Sequence, residues 1–211
     1  MLHKDPFLIA EDTFQLIIDL QEMDFMKGFH LVGGTALALQ IGHRNSIDID
    51  LFTQSEFIVS ELVENLREFF GVTPTFQREK NTLLTVIEDI KVDFIRHNFP
   101  MINTLIKEEG ISMFSLEDIA AMKVHAITNS GKRLKDFIDI YYLLEHFSIY
   151  EIIGFYAQKY PNYNPMIGLR AISYFGDIDP QIDPPKLRNL ISIDEVKNRI
   201  GEAVIHSRKI F

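Results

Sequence analysis

Apolar and polar positions alternate with two different periods in the first half of the chain, which predicts a mixture of helices and strands. In residues 46–52, isoleucine and leucine alternate with serine and aspartate, which is the period-two pattern of a half-buried strand. The predicted elements of this part are a helix over residues 11–27, a strand over 29–32, a helix over 33–40, a strand over 46–52 and a helix over 55–70.

The middle of the chain predicts a meander, and the remainder predicts helices. Three β-rich runs are separated by turn-prone pairs, at residues 73–78, 82–88 and 90–95. From Leu116 onward, a capping signal and apolar side chains at helical spacing predict helices, interrupted by a proline-rich loop over residues 179–186. We therefore expect an α+β fold with two domains, residues 1–110 with the sheet and residues 111–211 with helices.

Composition narrows the class of protein. The 211 residues are 46% hydrophobic and 24% charged, they contain no cysteine, and the formal net charge is −9. A chain of this kind is a globular protein in which disulfides, thiolate zinc sites and cysteine nucleophiles are excluded. Neither a signal peptide nor a run of about 20 apolar residues is seen, so we expect a cytoplasmic protein that does not enter a membrane. The acidic balance disfavours indiscriminate binding to nucleic acid, so any such contact would be a local patch.

Two aspartates of the predicted acidic strand point to the same side. Asp48 and Asp50 are two residues apart, so their Cα atoms lie roughly 7 Å apart at about 3.3 Å per residue. Asp93, between Val92 and Phe94 in another predicted strand, brings a third carboxylate if the two strands are neighbours. Such a cluster is costly to bury without a divalent cation, and Mg²⁺ is the usual ion for carboxylate and phosphate oxygens. The same pattern is also typical of the solvated face of an edge strand.

A glycine turn precedes the acidic strand and predicts a phosphate-binding site. Gly33 and Gly34 follow a strand, and Thr35 begins a helix whose first N–H groups are available to an anion. A glycine pair at this place is also typical of a tight connection alone. Arg44 and Ser46 are candidates for a phosphate contact and for a hydroxyl near the metal, or else ordinary surface residues.

A lysine occupies a core-facing position in the helical part of the chain. Lys123 falls on the apolar stripe of its predicted helix, and a buried ammonium needs a partner or a ligand such as a triphosphate. Asp136 and Asp139 on the next predicted helix are candidates to pair with it. The alternatives are a lysine whose charge reaches water along its stem, and local pairs between each aspartate and the lysine four residues before it.

Three segments of the chain form a recognisable set of motifs. The first joins the glycine turn, GGT at residues 33–35, to GHRNSIDIDLF at residues 42–52. The others are IAAMK at residues 119–123 and KDFIDIY at residues 135–141. This set resembles the AbiEii/AbiGii-type nucleotidyltransferases of the DNA polymerase β superfamily, over a little more than half of the chain. The resemblance implies a polymerase β-like core, a small mixed sheet with flanking helices, followed by a helical region.

The resemblance also implies an activity and roles for individual residues. The implied reaction moves a nucleoside monophosphate from a nucleoside triphosphate (NTP) to an acceptor hydroxyl and releases pyrophosphate. Many members resemble toxins of toxin–antitoxin pairs and some act on the acceptor end of tRNA, so tRNA and a cognate antitoxin are implied partners. The implied roles are binding of two Mg²⁺ ions by Asp48 and Asp50 with Asp93, deprotonation of the acceptor by Asp93, phosphate binding by Gly33, Gly34 and Thr35, charge neutralisation by Lys123, and positioning by Asp136.

Two other functions fit the same residues. One is a non-catalytic module that binds a nucleotide or a partner and retains the pocket. The other is a nucleotidyltransferase that modifies a small molecule or a protein in place of RNA. The nature of the acceptor is therefore open at this point.

Overall fold

The computed structural model describes residues 1–70 and 80–211. These residues divide into two compact units. The sheet unit comprises Met1–Phe99 and Leu105–Phe114, and the helical unit comprises Pro100–Thr104 and Ser115–Phe211. The predicted boundary near Gly110 lies inside the second segment of the sheet unit. The division into two domains stays a prediction.

The sheet unit contains a six-stranded mixed sheet with helices beside it, as predicted for a polymerase β-like core. Its described elements are α1 (Glu11–Glu22), a 3₁₀ turn (Asp24–Met26), β1 (His30–Val32), α2 (Gly33–Ile41), β2 (Ile49–Thr53), α3 (Val59–Phe70), β3 (Thr82–Ile87), β4 (Ile90–Arg96), β5 (Ile106–Glu108) and β6 (Ile111–Met113). The strand order is β3-β4-β2-β1-β6-β5. The pairs β2–β4 and β1–β6 are parallel, and the pairs β1–β2, β3–β4 and β5–β6 are antiparallel.

The two faces of the central strands differ in burial. On β2, Ile49 and Leu51 are fully buried, whereas Asp50 between them is partly exposed. On β4, Val92 and Phe94 are fully buried in the same core. Because side chains alternate between faces along a strand, one face packs the core and the acidic residues lie on the other.

The acidic strand is shorter than the alternating pattern predicts. It begins at Ile49 and not at residue 46, and Ile47 is 57% exposed. The backbone ahead of β2 has other partners, since Ser46 N–H donates to Leu8 O, and Asp48 O accepts from the Thr35 hydroxyl. These hydrogen bonds hold the segment in a loop, so it does not pair with a neighbouring strand.

Other predicted strands have mixed outcomes. The runs over residues 82–88 and 90–95 are confirmed as β3 and β4, whereas the run over residues 73–78 lies outside the described residues. The β5–β6 hairpin was not predicted. Its turn, Glu109-Gly110, has positive φ at both residues, 53° and 82°, which is the geometry of a two-residue hairpin turn.

The helical unit confirms the predicted helical region. Its described helices are α4 (Leu116–Asn129), α5 (Leu134–Leu143), α6 (Ile149–Lys159), α7 (Pro165–Ile172) and α8 (Ile193–Ile205). Ser115 caps α4, because its side chain accepts a hydrogen bond from Asp118 N–H. In the described part of the chain, no helix combines the length and the apolar character needed to cross a membrane.

Candidate active site

The parallel pairing of β2 and β4 brings two of the predicted metal ligands together. Asp50 is the register partner of Asp93, and neighbours in register on adjacent strands point to the same face. Asp48 lies two residues before Asp50, just ahead of the strand. The sequence predicted a third carboxylate near the pair if the two strands were neighbours. The two strands are neighbours, so this condition is met.

The glycine turn touches the acidic strand on its other side. Gly33 has φ of +71°, and Val32 before it is the register partner of Asp50. A Cβ atom on Gly33 would overlap Asp50 Oδ2 and lie 3.2 Å from Asp50 Cγ. Glycine is needed here both for the backbone conformation and for the close approach of the carboxylate.

Gly34 is packed against the two polar residues of the loop ahead of β2. A Cβ atom on Gly34 would lie 2.6 Å from an Arg44 guanidinium nitrogen and 3.1 Å from Ser46 Oγ. Arg44 is only 2% exposed and donates to Asn45 O at 2.8 Å. The buried positive charge of Arg44 therefore lies beside the N-terminal end of α2.

The Thr35 side chain holds the loop together. Its hydroxyl lies 2.9 Å from Ser46 Oγ and also donates to Asp48 O, and the residue is fully buried. Val32, the N-cap residue of α2, supplies no side-chain hydrogen bond to the first turn. The backbone N–H groups of that turn are thus the groups of this segment that suit an anion. The Thr35 hydroxyl fixes Asp48 and Ser46 in place.

The three aspartates have the chemistry of a magnesium site. Carboxylate oxygens are the donors that Mg²⁺ prefers, and Asp93, 8% exposed, has a buried Oδ1 without a hydrogen-bond partner among the described residues. Even so, no group of three acidic or histidine side chains within residues 1–70 and 80–211 is already arranged as a metal site. The residues fit the ion by donor type, and the metal role of Asp48, Asp50 and Asp93 stays a prediction.

A lysine that the sequence analysis did not single out faces the same carboxylates. Lys91 Nζ lies 2.8 Å from Asp93 Oδ2. Burial lowers the pKa of Lys91, but the hydrogen bond that Lys91 donates to Asp93 and the charges of Asp93, Asp48 and Asp50 outweigh burial and raise the pKa above its ordinary value. The signal was present in the sequence, since Lys91 is two residues from Asp93 and shares its face of the strand.

In the helical unit, Lys123 is buried and paired with both candidate aspartates. Its Nζ lies 2.9 Å from Asp136 Oδ1 and 2.6 Å from Asp139 Oδ2. Asp136 also accepts from Arg133 at 2.8 Å, and Lys135 pairs with Asp183. Lys123 is only 8% exposed, so its charge meets carboxylates and does not reach water along its stem. A role of Lys123 or Asp136 toward nucleotide phosphates stays a prediction.

A second buried lysine of the helical unit was missed. Lys159 Nζ lies 2.7 Å from Asp118 Oδ1, and both side chains are fully buried. Asp118 also accepts from the N–H groups of Ile102 and Asn103, at 3.1 and 3.2 Å. Asp118 lies in the segment whose capping signal predicts the start of this helix, and no periodic signal links it to a lysine so far along the chain. This pair joins residues 100–104 to α4 and α6 and is structural.

Comparisons with known proteins bear on the family of this chain. The model of the AbiEii toxin nucleotidyltransferase family, of type IV toxin–antitoxin systems, matches residues 16–197. The uncharacterized protein aq_aa25 of Aquifex aeolicus (strain VF5) is 30% identical over 163 residues, which are 73% of this chain and 77% of that protein.

Two solved structures of Helicobacter pylori proteins share the fold. JHP933 matches with a TM-score of 0.52 and 14% identity, over 90% of this chain and 86% of that one. A candidate nucleotidyltransferase matches with a TM-score of 0.54 and 16% identity, over 90% and 89% of the two chains. At these identities the likeness concerns the fold, whereas the family match covers most of the sequence. The chain therefore belongs to the AbiEii toxin family of nucleotidyltransferases.

Proposed function

We propose that this protein transfers a nucleoside monophosphate from an NTP to an acceptor hydroxyl, with two Mg²⁺ ions held by Asp48, Asp50 and Asp93. The observation that carries the proposal is the close approach of Gly33 to Asp50 Oδ2. In this arrangement a phosphate bound at the start of α2 would lie next to a carboxylate that we propose as a metal ligand, and nucleotidyl transfer requires such proximity.

The phosphates would be held by groups that the chain has already positioned. The backbone N–H groups at Gly33, Gly34 and Thr35 suit the β and γ phosphates because the helix end carries partial positive charge. Arg44 adds a full positive charge against Gly34. The Thr35 hydroxyl and Ser46 keep this loop rigid through their mutual hydrogen bond of 2.9 Å. Rigid positioning is what makes such electrostatic groups effective in a transition state.

The carboxylates would act near the reacting phosphorus. When bound to Asp48 and Asp50, Mg²⁺ supplies charge neutralisation at the phosphate oxygens and orients the reactants. Asp93 is buried beside Asp50 and would accept the proton of the attacking hydroxyl or hold the metal that lowers the pKa of that hydroxyl. For Lys123 we propose neutralisation of phosphate charge, with Asp136 as its positioning residue through their ion pair of 2.9 Å.

We further propose that the protein is the toxin of a toxin–antitoxin pair and that the 3′ end of tRNA is its acceptor. The family membership supports the toxin role and a cognate antitoxin. The tRNA acceptor is supported by the family resemblance of the motifs in residues 33–52. A small-molecule or protein acceptor is the alternative outcome of the experiment below.

The activity is tested by incubating the purified chain with each α-labelled NTP, Mg²⁺ and total RNA, and by locating the label. We expect label on RNA of tRNA size with one preferred nucleotide. Asp48→Asn and Asp50→Asn should each lower the rate by at least about 10²-fold, the scale of losing one preorganised electrostatic group. Asp12→Asn, an exposed acidic residue of α1, is the control and should retain the rate.

The distribution of label separates the alternatives. Label on protein or on a small metabolite would show that the acceptor is not RNA and would still support the transferase activity. If no label moves with any nucleotide, and expression of Asp48→Asn slows growth as much as expression of the wild type, the proposed activity is wrong. Binding of NTP without Mg²⁺ and without turnover would favour a non-catalytic module.

A further inference from the structure

The ammonium of Lys91 contacts one of the three carboxylates for which a metal role is proposed and is subject to the charge of the other two. Lys91 precedes Asp93 by two residues on β4, so the two side chains leave the same face of the strand. Lys91 Nζ contacts Asp93 Oδ2 at 2.8 Å, and the charges of Asp48 and Asp50 act on the same ammonium. The positive charge of Lys91 thus offsets part of the negative charge of these carboxylates.

The contact uses only one oxygen of Asp93. Oδ2 is bound to Lys91, whereas Oδ1 is buried and has no hydrogen-bond partner among the described residues. An unsatisfied oxygen on a buried carboxylate is costly, and a cation that binds both oxygens would remove this cost. The arrangement is therefore suited to exchange of one cation for another at Asp93.

The two partners differ in freedom to move. Asp93 lies on a strand that is paired on both sides, by β2 and by β3. The Lys91 side chain is 52% exposed, compared with 11% for Asp93. Lys91 can therefore swing into solvent without disturbing the sheet, whereas Asp93 cannot follow it.

We propose that Lys91 is an internal counter-ion that occupies the metal's place at Asp93 and is displaced when a divalent cation binds. This inference rests on the proposed function, since it takes Asp48, Asp50 and Asp93 as the metal ligands. Lys91 holds the third carboxylate in the cluster while no metal is bound. Its positive charge also opposes the incoming cation, and the affinity for free metal is lowered as a result.

The test is the affinity of the nucleotide-free protein for Mn²⁺, measured by electron paramagnetic resonance of the free ion. Removing one positive charge about 5 Å from a divalent cation, in a solvated site screened by about 0.1 M salt, should tighten binding about three- to tenfold in Lys91→Met. Lys91→Arg keeps the charge and should bind as the wild type does. Lys80→Met removes an exposed lysine that lies 3.6 Å from Glu56, outside the cluster, and should leave the affinity unchanged.

Each outcome has a distinct meaning. If the wild type binds Mn²⁺, Asp93→Asn abolishes binding and Lys91→Met binds no more tightly than the wild type, the inference about Lys91 is wrong and the metal site stands. If neither the wild type nor Lys91→Met binds Mn²⁺, the metal role in the proposed function is wrong and the inference is lost with it. Circular dichroism of Lys91→Met and Lys91→Arg checks that both variants are folded.

Discussion

Replacing Gly33 by alanine tests the contact on which the proposed function depends. Gly33 has φ of +71°, and a Cβ atom there would overlap Asp50 Oδ2. The left-handed backbone by itself should cost about 1–2 kcal/mol for a residue with a Cβ. The overlap adds a second effect, because the Asp50 carboxylate must turn away from the glycine turn.

Gly110 provides a matched control for the backbone effect. It has φ of +82°, close to that of Gly33, but a Cβ atom there would meet nothing within 4 Å. Gly110→Ala should therefore lose about 1–2 kcal/mol of unfolding free energy from the backbone alone. Gly33→Ala should lose about 0.5–1.5 kcal/mol more, the cost of forcing the Asp50 side chain off its rotamer.

Activity should separate the two variants more sharply than stability does. A displacement on the order of 1 Å at a reacting group costs about 10²-fold in rate, so Gly33→Ala should lose roughly that much nucleotidyl transfer. Gly110→Ala should retain the wild-type rate at temperatures where it is folded. Urea unfolding gives the free energies, and transfer of labelled NTP gives the rates. Equal rates for the two variants would show that the approach of Gly33 to Asp50 is not required for the chemistry.

The remaining predictions concern the helical unit. Lys159→Met leaves Asp118 as a buried carboxylate without its cation, which should cost about 3–5 kcal/mol of unfolding free energy in urea. Adding Asp118→Asn should recover part of that loss, and a double variant no more stable than the single one would contradict the explanation. His125 stacks on Tyr160 with ring centroids 4.1 Å apart, and burial lowers the pKa of His125 below its ordinary value of 6.5. Its stabilising contribution is therefore fully present above pH 6.5 and is lost as the pH falls through the lowered pKa. Between about pH 7.5 and pH 5, the wild type should lose more unfolding free energy than His125→Gln, and equal losses would refute this assignment.

Local patterns in the sequence determined the parts of the site that depend on neighbouring residues. The period of two predicts Asp48 and Asp50 on one side, because a strand turns its side chains over at every residue, and the structure places Asp50 in the strand and Asp48 in the loop just ahead of it. The glycine pair before a helical stretch predicts a tight turn with free N–H groups, and the structure has this turn at Gly33. Lys123 faces the interior because its helix has a single apolar stripe.

Only the tertiary structure decided which of these groups meet. The period of a strand tells which face a residue occupies but not which strand lies beside it, so the pairing of Asp50 with Asp93 is absent from the local pattern. Sequence patterns carry no sign of the pair between Lys159 and Asp118, because folding alone brings these distant residues together. The same reason explains Lys91: its face was readable from the sequence, but its place among three carboxylates depended on the parallel pairing of two strands.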